Sequence, residues 1–179
     1  ATDLIRKIER ESYIRTLNGH MISGPIQGAF LGELVRMCGA ERVLEIGTFT
    51  GYSTIWMAEN LNKGGRVFTI EINPETHHLA NIFFQEYDKN DRIESILGDA
   101  REVIPKLNEA WDIVLIDAAK NDNAFYYDLI LPQLKSGAYI LLDNVLWKGK
   151  VTQSDMDKKT REIDRLNKKI AADTSVSMV

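Results

Sequence analysis

Cysteine is nearly absent from this sequence, because Cys38 is its only thiol and has no partner for an intramolecular disulfide. A chain without disulfides is typical of a reducing compartment, so we expect a cytoplasmic protein. Cys38 closes the largely apolar segment 34–38. Free cysteine is among the residues most often buried, which favours a core position for it over a nucleophilic role.

Long hydrophobic runs and a basic excess are missing as well. No stretch approaches the roughly 18 apolar residues that a membrane span requires. The segment that begins Ala1, Thr2 lacks the basic region and apolar block of a signal peptide. We therefore expect no membrane partner. The net charge of -4 supplies no general attraction for nucleic acid, which makes RNA or DNA a disfavoured partner.

Two patterns alternate along the chain. Short runs rich in β-branched residues cover 42–46, 66–71, 92–97, 112–117 and 138–143, and segments with helical apolar spacing separate them. Near-continuous apolar strands are typical of a sheet covered on both faces, and strand–helix alternation indicates a mostly parallel sheet. The sequence predicts one α/β domain over 1–179, with N-terminal helices over 1–40. The core over 41–179 is predicted to be doubly wound and Rossmann-like, with helices on both faces.

Helices are indicated by caps and by apolar spacing. Asn73 followed by Pro74 predicts a helix start, and Pro132 should kink or end the helix predicted over 125–134. Two helices should precede the first strand, and their apolar stripes are Leu4, Ile5, Ile8 and Ser12, and Ile26, Phe30, Leu34 and Met37. Ser154 with Asp157 resembles a capping box, which predicts a basic C-terminal helix with a solvated charged face.

A glycine-containing turn follows the first strand, over residues 45–53. Phe49 stands where a dinucleotide fingerprint has its second glycine, and a bulky residue there blocks the approach of a pyrophosphate. We therefore expect a nucleoside ligand without a diphosphate, which disfavours a nicotinamide dehydrogenase. Glu71, at the end of the second strand, could accept hydrogen bonds from ribose hydroxyls, and Asp99 could lie near the base. Either acid alone could face solvent, but acids after consecutive strands together favour a nucleoside site.

Polar side chains also end the fourth and fifth strands, as Asp117 and as Asp143 with Asn144. If these strands are neighbours, about 5 Å apart, two carboxylates and an amide oxygen meet at one edge of the sheet. The repulsion between the carboxylates would be relieved by a hard divalent cation, most simply Mg²⁺, with Mn²⁺ or Ca²⁺ as alternatives. The other interpretation is that Asp143 and Asn144 only form a turn.

Lys120 follows Asp117 by three residues and is either a base beside this cation or an exposed loop lysine. The histidines do not indicate zinc. His77 and His78 are adjacent on a predicted helix and so point apart, and His20 is isolated, so we expect all three at the surface.

Four segments together resemble the cation-dependent O-methyltransferases of the catechol and caffeoyl-coenzyme A type. They are Leu-Glu-Ile-Gly-Thr-Phe-Thr-Gly-Tyr-Ser over 44–53, Ile-Glu-Ile-Asn-Pro over 70–74, Ile-Asp-Ala-Ala-Lys over 116–120 and Asp-Asn-Val-Leu-Trp-Lys-Gly over 143–149. The resemblance runs from about residue 19 to the end of the chain, and the motifs occur in the family's order. It implies methyl transfer from S-adenosylmethionine to a hydroxyl of a vicinal diol, such as a catechol or a caffeoyl-type phenol.

The resemblance also implies roles for individual residues. S-adenosylmethionine would contact Met21, Ser23, Glu45, Gly47, Thr48, Ser53, Glu71, Ala100 and Asp117. The cation would be held by Asp117, Asp143 and Asn144, Lys120 with Asp117 would act in catalysis, and Trp147 and Lys148 would contact the acceptor. Two departures stand out. Ala119 occupies a position where plant members tend to have an acid, and the family's C-terminal hairpin, which adds an antiparallel strand, is expected to be missing from this chain.

Alternatives to this function stay open. Bacterial proteins that resemble the family include enzymes that methylate a hydroxyuridine in transfer RNA, and the basic C-terminal helix could contact phosphates. A nucleoside-binding protein without catalysis is a further alternative, against which the set of Asp117, Lys120, Asp143 and Asn144 argues. Related enzymes are often dimers, so we expect a homodimer, with the two leading helices as candidates for the contact.

Overall fold

The computed structural model describes residues 2–179 as one parallel sheet with helices on both of its faces. The strands are β1 (Arg42–Ile46), β2 (Arg66–Glu71), β3 (Ile93–Leu97), β4 (Trp111–Ile116) and β5 (Leu134–Leu142). The α-helices are α1 (Thr2–Arg15), α2 (Gly24–Cys38), α3 (Tyr52–Glu59), α4 (Pro74–Glu86), α5 (Ala100–Val103), α6 (Asn123–Ile130) and α7 (Lys158–Ala172). The strand order β3-β2-β1-β4-β5 confirms the predicted doubly wound α/β fold.

The central strands are buried because both sheet faces are covered. Side chains alternate between the faces along a strand, so Val43 packs with α1 to α4, whereas its neighbour Leu44 packs with α5 and α6. The edge strands β3 and β5 are only partly covered, in contrast to β1, β2 and β4. Residues 173–179 follow α7 without forming a strand, so the described sheet ends at β5.

Helix ends follow the predicted signals in two cases and differ in a third. The side chain of Asn73 accepts the Glu75 N–H at 2.9 Å at the start of α4, and α6 ends at Ile130, before Pro132. Ser154, however, lies outside α7. Asp157 caps that helix by accepting the Thr160 N–H at 2.7 Å, because its extended backbone directly precedes the first helical turn.

The packing of α2 corrects the predicted apolar stripe. Ile26, Phe30 and Met37 are exposed, and the buried face consists of Gly28, Leu31, Gly32 and Val35. The glycines bury this face because α2 and α3 are in close contact. A Cβ on Gly28 would lie 2.4 Å from the Trp56 ring, and one on Gly32 would lie 2.5 Å from the Asn60 side chain.

Two further predictions about single elements have opposite outcomes. The stripe of α1 is confirmed, since Ile5, Ile8 and Ser12 are buried. The core position predicted for Cys38 is wrong, because the thiol is exposed in the last turn of α2. Among residues 2–179, no helix is both long and apolar enough to cross a bilayer.

Candidate active site

A cleft of about 1050 Å³ opens at the carboxyl ends of the strands. Ligands of open α/β sheets bind at this edge, beside the point where the strand order reverses, here between β1 and β4. The cleft is lined by every residue predicted for the site except Glu45. These lining residues are Met21, Ser23, Gly47, Thr48, Ser53, Glu71, Ala100, Asp117, Lys120, Asp143, Asn144, Trp147 and Lys148.

Glu45 is fully buried and, unlike the other predicted contacts, is not one of the residues that line the cleft. On β1 its side chain points to the same face as Val43, and two of its partners, Ser53 and Thr54, belong to α3. The carboxyl accepts hydrogen bonds from Ser53, Thr54 and Thr69. Burial raises the pKa of Glu45 to about 7. Glu45 therefore acts on the cleft indirectly. It accepts a hydrogen bond from Ser53, which is one of the lining residues.

The turn after β1 brings backbone close to the strand ends. Gly47 has φ 102°, and a Cβ there would lie 2.4 Å from the Asp117 carbonyl oxygen, so the position requires glycine. Phe49, at φ 50°, donates its N–H to Glu71 Oε2 at 2.7 Å. Asn73 donates its N–H to Glu71 Oε1 at 2.9 Å. The Glu71 carboxylate is thus held in place at the cleft and keeps lone pairs for further donors.

The wall after β3 consists of the first residues of α5. Asp99 caps α5 by accepting the Arg101 N–H at 2.9 Å and forms an ion pair with the Arg101 side chain. This hydrogen bonding and charge lower the pKa of Asp99. Asp99 lines the cleft, but Arg101 already occupies much of its carboxylate.

The ends of β4 and β5 bring the predicted cation ligands together. The two strands are parallel neighbours with Ile116 paired to Leu142, so Asp117 and Asp143 leave the sheet side by side. Burial raises the pKa of Asp143, and the charge of Asp117 raises it further, while Lys120 opposes the shift. Asn144 starts a turn, since its carbonyl accepts the Trp147 N–H at 3.0 Å, and it also lines the cleft.

Lys120 and the histidines occupy different surroundings. The Lys120 side chain is only 9% exposed, and its Nζ lies 2.8 Å from Asp117 Oδ1, so it is not an exposed loop lysine. His20 and His78 are exposed as predicted, whereas His77 is half-buried against Asn81. Within residues 2–179, His, Cys, Asp and Glu side chains form no group of three suited to a metal ion, so no zinc-type cluster is present there.

The far end of the cleft contains a contact that sequence reasoning missed. Lys159 of α7 places its Nζ 4.6 Å from the centre of the Trp147 ring, and both residues line the cleft. Arg101 and Tyr126 are further lining residues that were not predicted. A lysine in a basic helix has the same sequence signature whether it faces solvent or a site, so only the packing of α7 distinguishes the two.

Comparisons with known proteins agree with this geometry. The family model described as O-methyltransferase matches residues 1–179. A catechol O-methyltransferase of Niastella koreensis is 34% identical over 157 residues, which make up 85% of this chain and 71% of that protein. A catechol O-methyltransferase of Mycobacterium tuberculosis is 38% identical over 132 residues, or 73% of this chain and 60% of that protein. The chain thus spans between 60% and 71% of the length of these relatives.

Solved structures give the same result. The O-methyltransferase of Bacillus cereus, in complex with SAH, superposes with a TM-score of 0.91 at 34% identity, covering 98% of this chain and 81% of that one. The O-methyltransferase TomG of Streptomyces achromogenes, in complex with SAM, has a TM-score of 0.89 at 31% identity, covering 96% and 78%. From the match over the whole chain, together with these relatives, we conclude that the protein belongs to the O-methyltransferase family.

Proposed function

We propose that this protein transfers the methyl group of S-adenosylmethionine to a phenolic hydroxyl of a small vicinal diol and depends on a divalent cation. The observation that supports this most is the meeting of Asp117, Lys120 and Asp143 at the ends of neighbouring strands, inside the cleft. A protein that only binds a nucleoside has no use for two facing carboxylates and a buried lysine. Catalysis is therefore the better explanation of the site.

For the cofactor, the support comes from the cleft and from the relatives solved with SAH or SAM. Glu71 would accept hydrogen bonds from the ribose hydroxyls, because its carboxylate is already oriented by two backbone N–H groups. The bulky side chain of Phe49 is expected to block the approach of a pyrophosphate, which favours a nucleoside ligand without a diphosphate. The remaining proposed contacts are Met21, Ser23, Gly47, Thr48, Ser53, Ala100 and Asp117, all of which line the cleft.

For the cation, the donor set is suitable. Asp143 lies close enough to Asp117 for the charge of Asp117 to help raise the pKa of Asp143, and Asn144 adds an amide oxygen beside them. Oxygen ligands of this kind suit Mg²⁺ first, with Mn²⁺ or Ca²⁺ as alternatives. When bound, such an ion would lower the pKa of the acceptor hydroxyl.

Lys120 is proposed as the base. In its amine form, Lys120 Nζ takes the proton of the acceptor hydroxyl on its lone pair, and an oxygen lone pair forms the new bond to the methyl carbon. The bond from that carbon to sulfur breaks, its electron pair stays on sulfur, and S-adenosylhomocysteine is released. Asp117 would hold the lysine in place, as their 2.8 Å contact indicates. Alignment in a closed cleft should provide most of the acceleration.

For the acceptor, Trp147 and Lys148 are proposed contacts at the far end of the cleft. Relatives named catechol O-methyltransferase and caffeoyl-CoA O-methyltransferase support a small phenolic molecule. Transfer RNA is the weaker candidate, because several cations of α7 are neutralised. Lys168 pairs with Asp164, and Lys169 pairs with Asp128.

A single assay separates these acceptors. Purified protein would be incubated with methyl-labelled S-adenosylmethionine and either a panel of catechols or bulk transfer RNA. We expect label in the catechol products and none in RNA. Label in RNA alone would reverse the choice of acceptor, and then charge reversal at Lys158 and Arg161 should abolish that labelling. Label in neither, while the cofactor still binds, would favour the non-catalytic alternative.

A homodimer in the cytoplasm is also proposed. Its support is a group of exposed apolar side chains on and near the two leading helices, namely Tyr13, Ile14, Leu17, Ile26, Phe30 and Met37. Large exposed apolar side chains such as these are candidates for a contact between protein chains. Light scattering after gel filtration should give twice the chain mass, and Phe30→Glu should reduce that to the single mass. A wild-type monomer would contradict the dimer.

A further inference from the structure

The loop after β5, residues 143–149, adopts a backbone that its own sequence does not favour. Asn144, Trp147 and Lys148 have φ of 60°, 44° and 56°. Asparagine enters this left-handed region more readily than most residues, but Trp147 and Lys148 avoid it, so the loop keeps this backbone only where its surroundings hold it. The same loop supplies Asp143, Asn144 and Trp147 to the cleft. Whatever holds the loop therefore also sets the geometry of the site.

Hydrogen bonds inside the loop provide part of this support. The Asn144 N–H donates to Asp143 Oδ1 at 2.8 Å, and the Trp147 N–H closes a turn onto the Asn144 carbonyl at 3.0 Å. The carbonyl of Val145, in the middle peptide of that turn, is bound from outside the loop instead. Asn167 of α7 donates its Nδ2–H to this oxygen at 2.8 Å, across 22 residues of sequence.

Asn167 belongs to one face of α7 that lies along the loop. Lys159, Ile163 and Asn167 are spaced by four residues, which places them in one row on a helix. Lys159 contacts the Trp147 ring at one end of the row, and Asn167 binds the Val145 carbonyl at the other. Ile163 between them is 3% exposed, so the row is anchored in the protein interior. The loop is thus held at two points by a single packed helix.

We infer that Asn167 is a positioning residue for the cation and acceptor site, because it fixes the turn on which Asp143 and Asn144 present their oxygens. The inference rests on the proposed cation at Asp117, Asp143 and Asn144. Asn167 does not line the cleft and acts only through the Val145 carbonyl. Outer partners that orient metal ligands in this manner commonly change metal affinity by about ten- to a hundredfold when they are removed.

The test is the affinity of the full chain for Mn²⁺, which calorimetry measures in the presence of S-adenosylhomocysteine. Asn167→Ala removes the donor, and Asn167→Asp keeps the size but sets an acceptor against the Val145 carbonyl. We expect both variants to weaken Mn²⁺ by about tenfold or more, with unchanged affinity for S-adenosylhomocysteine. The added charge of the aspartate would attract Mn²⁺, so a loss of affinity in that variant is the stricter result.

Lys169→Ala is the matched control, because it removes the contact of α7 with Asp128 and leaves the loop alone. It should bind Mn²⁺ as the wild type does. Equal weakening in Lys169→Ala, or wild-type affinity in either Asn167 variant, overturns the positioning role. If Asn167→Ala does not fold, the Mn²⁺ affinity of Asn167→Asp alone tests the positioning role. Absence of Mn²⁺ binding in the wild type would instead refute the proposed cation site, which keeps the two failures distinct.

Discussion

Lys120 Nζ lies 2.8 Å from Asp117 Oδ1, and the lysine side chain is only 9% exposed. An ion pair on the open surface contributes little to the stability of the folded protein, because water competes for both charges. This pair is shielded on the lysine side and faces Asp143 across the edge of the sheet. Lys120 therefore has a defined position in the cleft, beside the carboxylates that are proposed to hold the cation.

Replacement of Lys120 should affect turnover and not cofactor binding. A positioned general base commonly contributes 10²- to 10⁴-fold, so Lys120→Met should lower kcat by about a hundredfold or more. Calorimetry with S-adenosylhomocysteine should give wild-type affinity. Lys106→Met, at an exposed position outside the cleft, is the control and should retain full kcat. A Lys120→Met enzyme with wild-type kcat would remove the lysine from the mechanism.

Replacement of Glu71 should weaken the cofactor. A hydrogen bond to a charged acceptor contributes roughly 1.5–3 kcal/mol, so Glu71→Ala should raise the Kd for S-adenosylmethionine about tenfold or more. Glu71→Gln retains one acceptor oxygen for the Phe49 and Asn73 N–H groups. Its Kd for S-adenosylmethionine should therefore lie between those of the wild type and Glu71→Ala. The exposed Glu94→Ala serves as control. Unchanged affinity in Glu71→Ala, measured by calorimetry, would exclude the ribose contact.

Glu45 should make stability depend on pH. Its pKa is raised from 4.5 to about 7 in the folded protein, so the folded state retains a proton that the unfolded chain loses. The free energy of unfolding from this group is therefore greatest below pH 4.5 and declines as the pH rises to about 7, by up to roughly 3 kcal/mol. Glu45→Gln stays neutral and should lack this decline.

Urea unfolding of both proteins at about pH 5 and pH 8 measures the effect, because all other titrating groups are shared. The wild type should lose more stability than Glu45→Gln over this interval. Equal losses would mean that Glu45 titrates normally despite its burial. Glu94→Gln, which changes an exposed carboxylate, should behave as the wild type.

Much of the site was predictable because parallel strands end at one edge. Since the apolar runs are parallel strands, the residues that follow them, Glu71, Asp117 and Asp143, lie along the same edge of the sheet. Likewise, the caps of α4 and the end of α6 follow from local chemistry that the sequence contains in full. These features depend on neighbours in the chain or on the regular geometry of a sheet.

The predictions failed where packing between elements distant in the sequence determines which side chains are buried. On α2, glycine contacts with α3 override an apolar stripe that would by itself predict the buried face. Glu45, which the family resemblance assigned to the cofactor, is buried and lies outside the lining of the cleft. Lys159 and Asn167 gave no sequence signal, since their roles exist only once α7 packs beside the loop after β5.

Methyl transfer by this protein is proposed to require a divalent cation at Asp117, Asp143 and Asn144. The most direct measurement is the transfer of labelled methyl to a catechol before chelation, in excess chelator and after Mg²⁺ is restored, with S-adenosylhomocysteine binding followed in parallel. We predict that turnover stops in chelator and returns with Mg²⁺, that Asp143→Ala stays inactive throughout, and that S-adenosylhomocysteine binds in every case. Full turnover in excess chelator would contradict the account and leave proton removal to Lys120 alone.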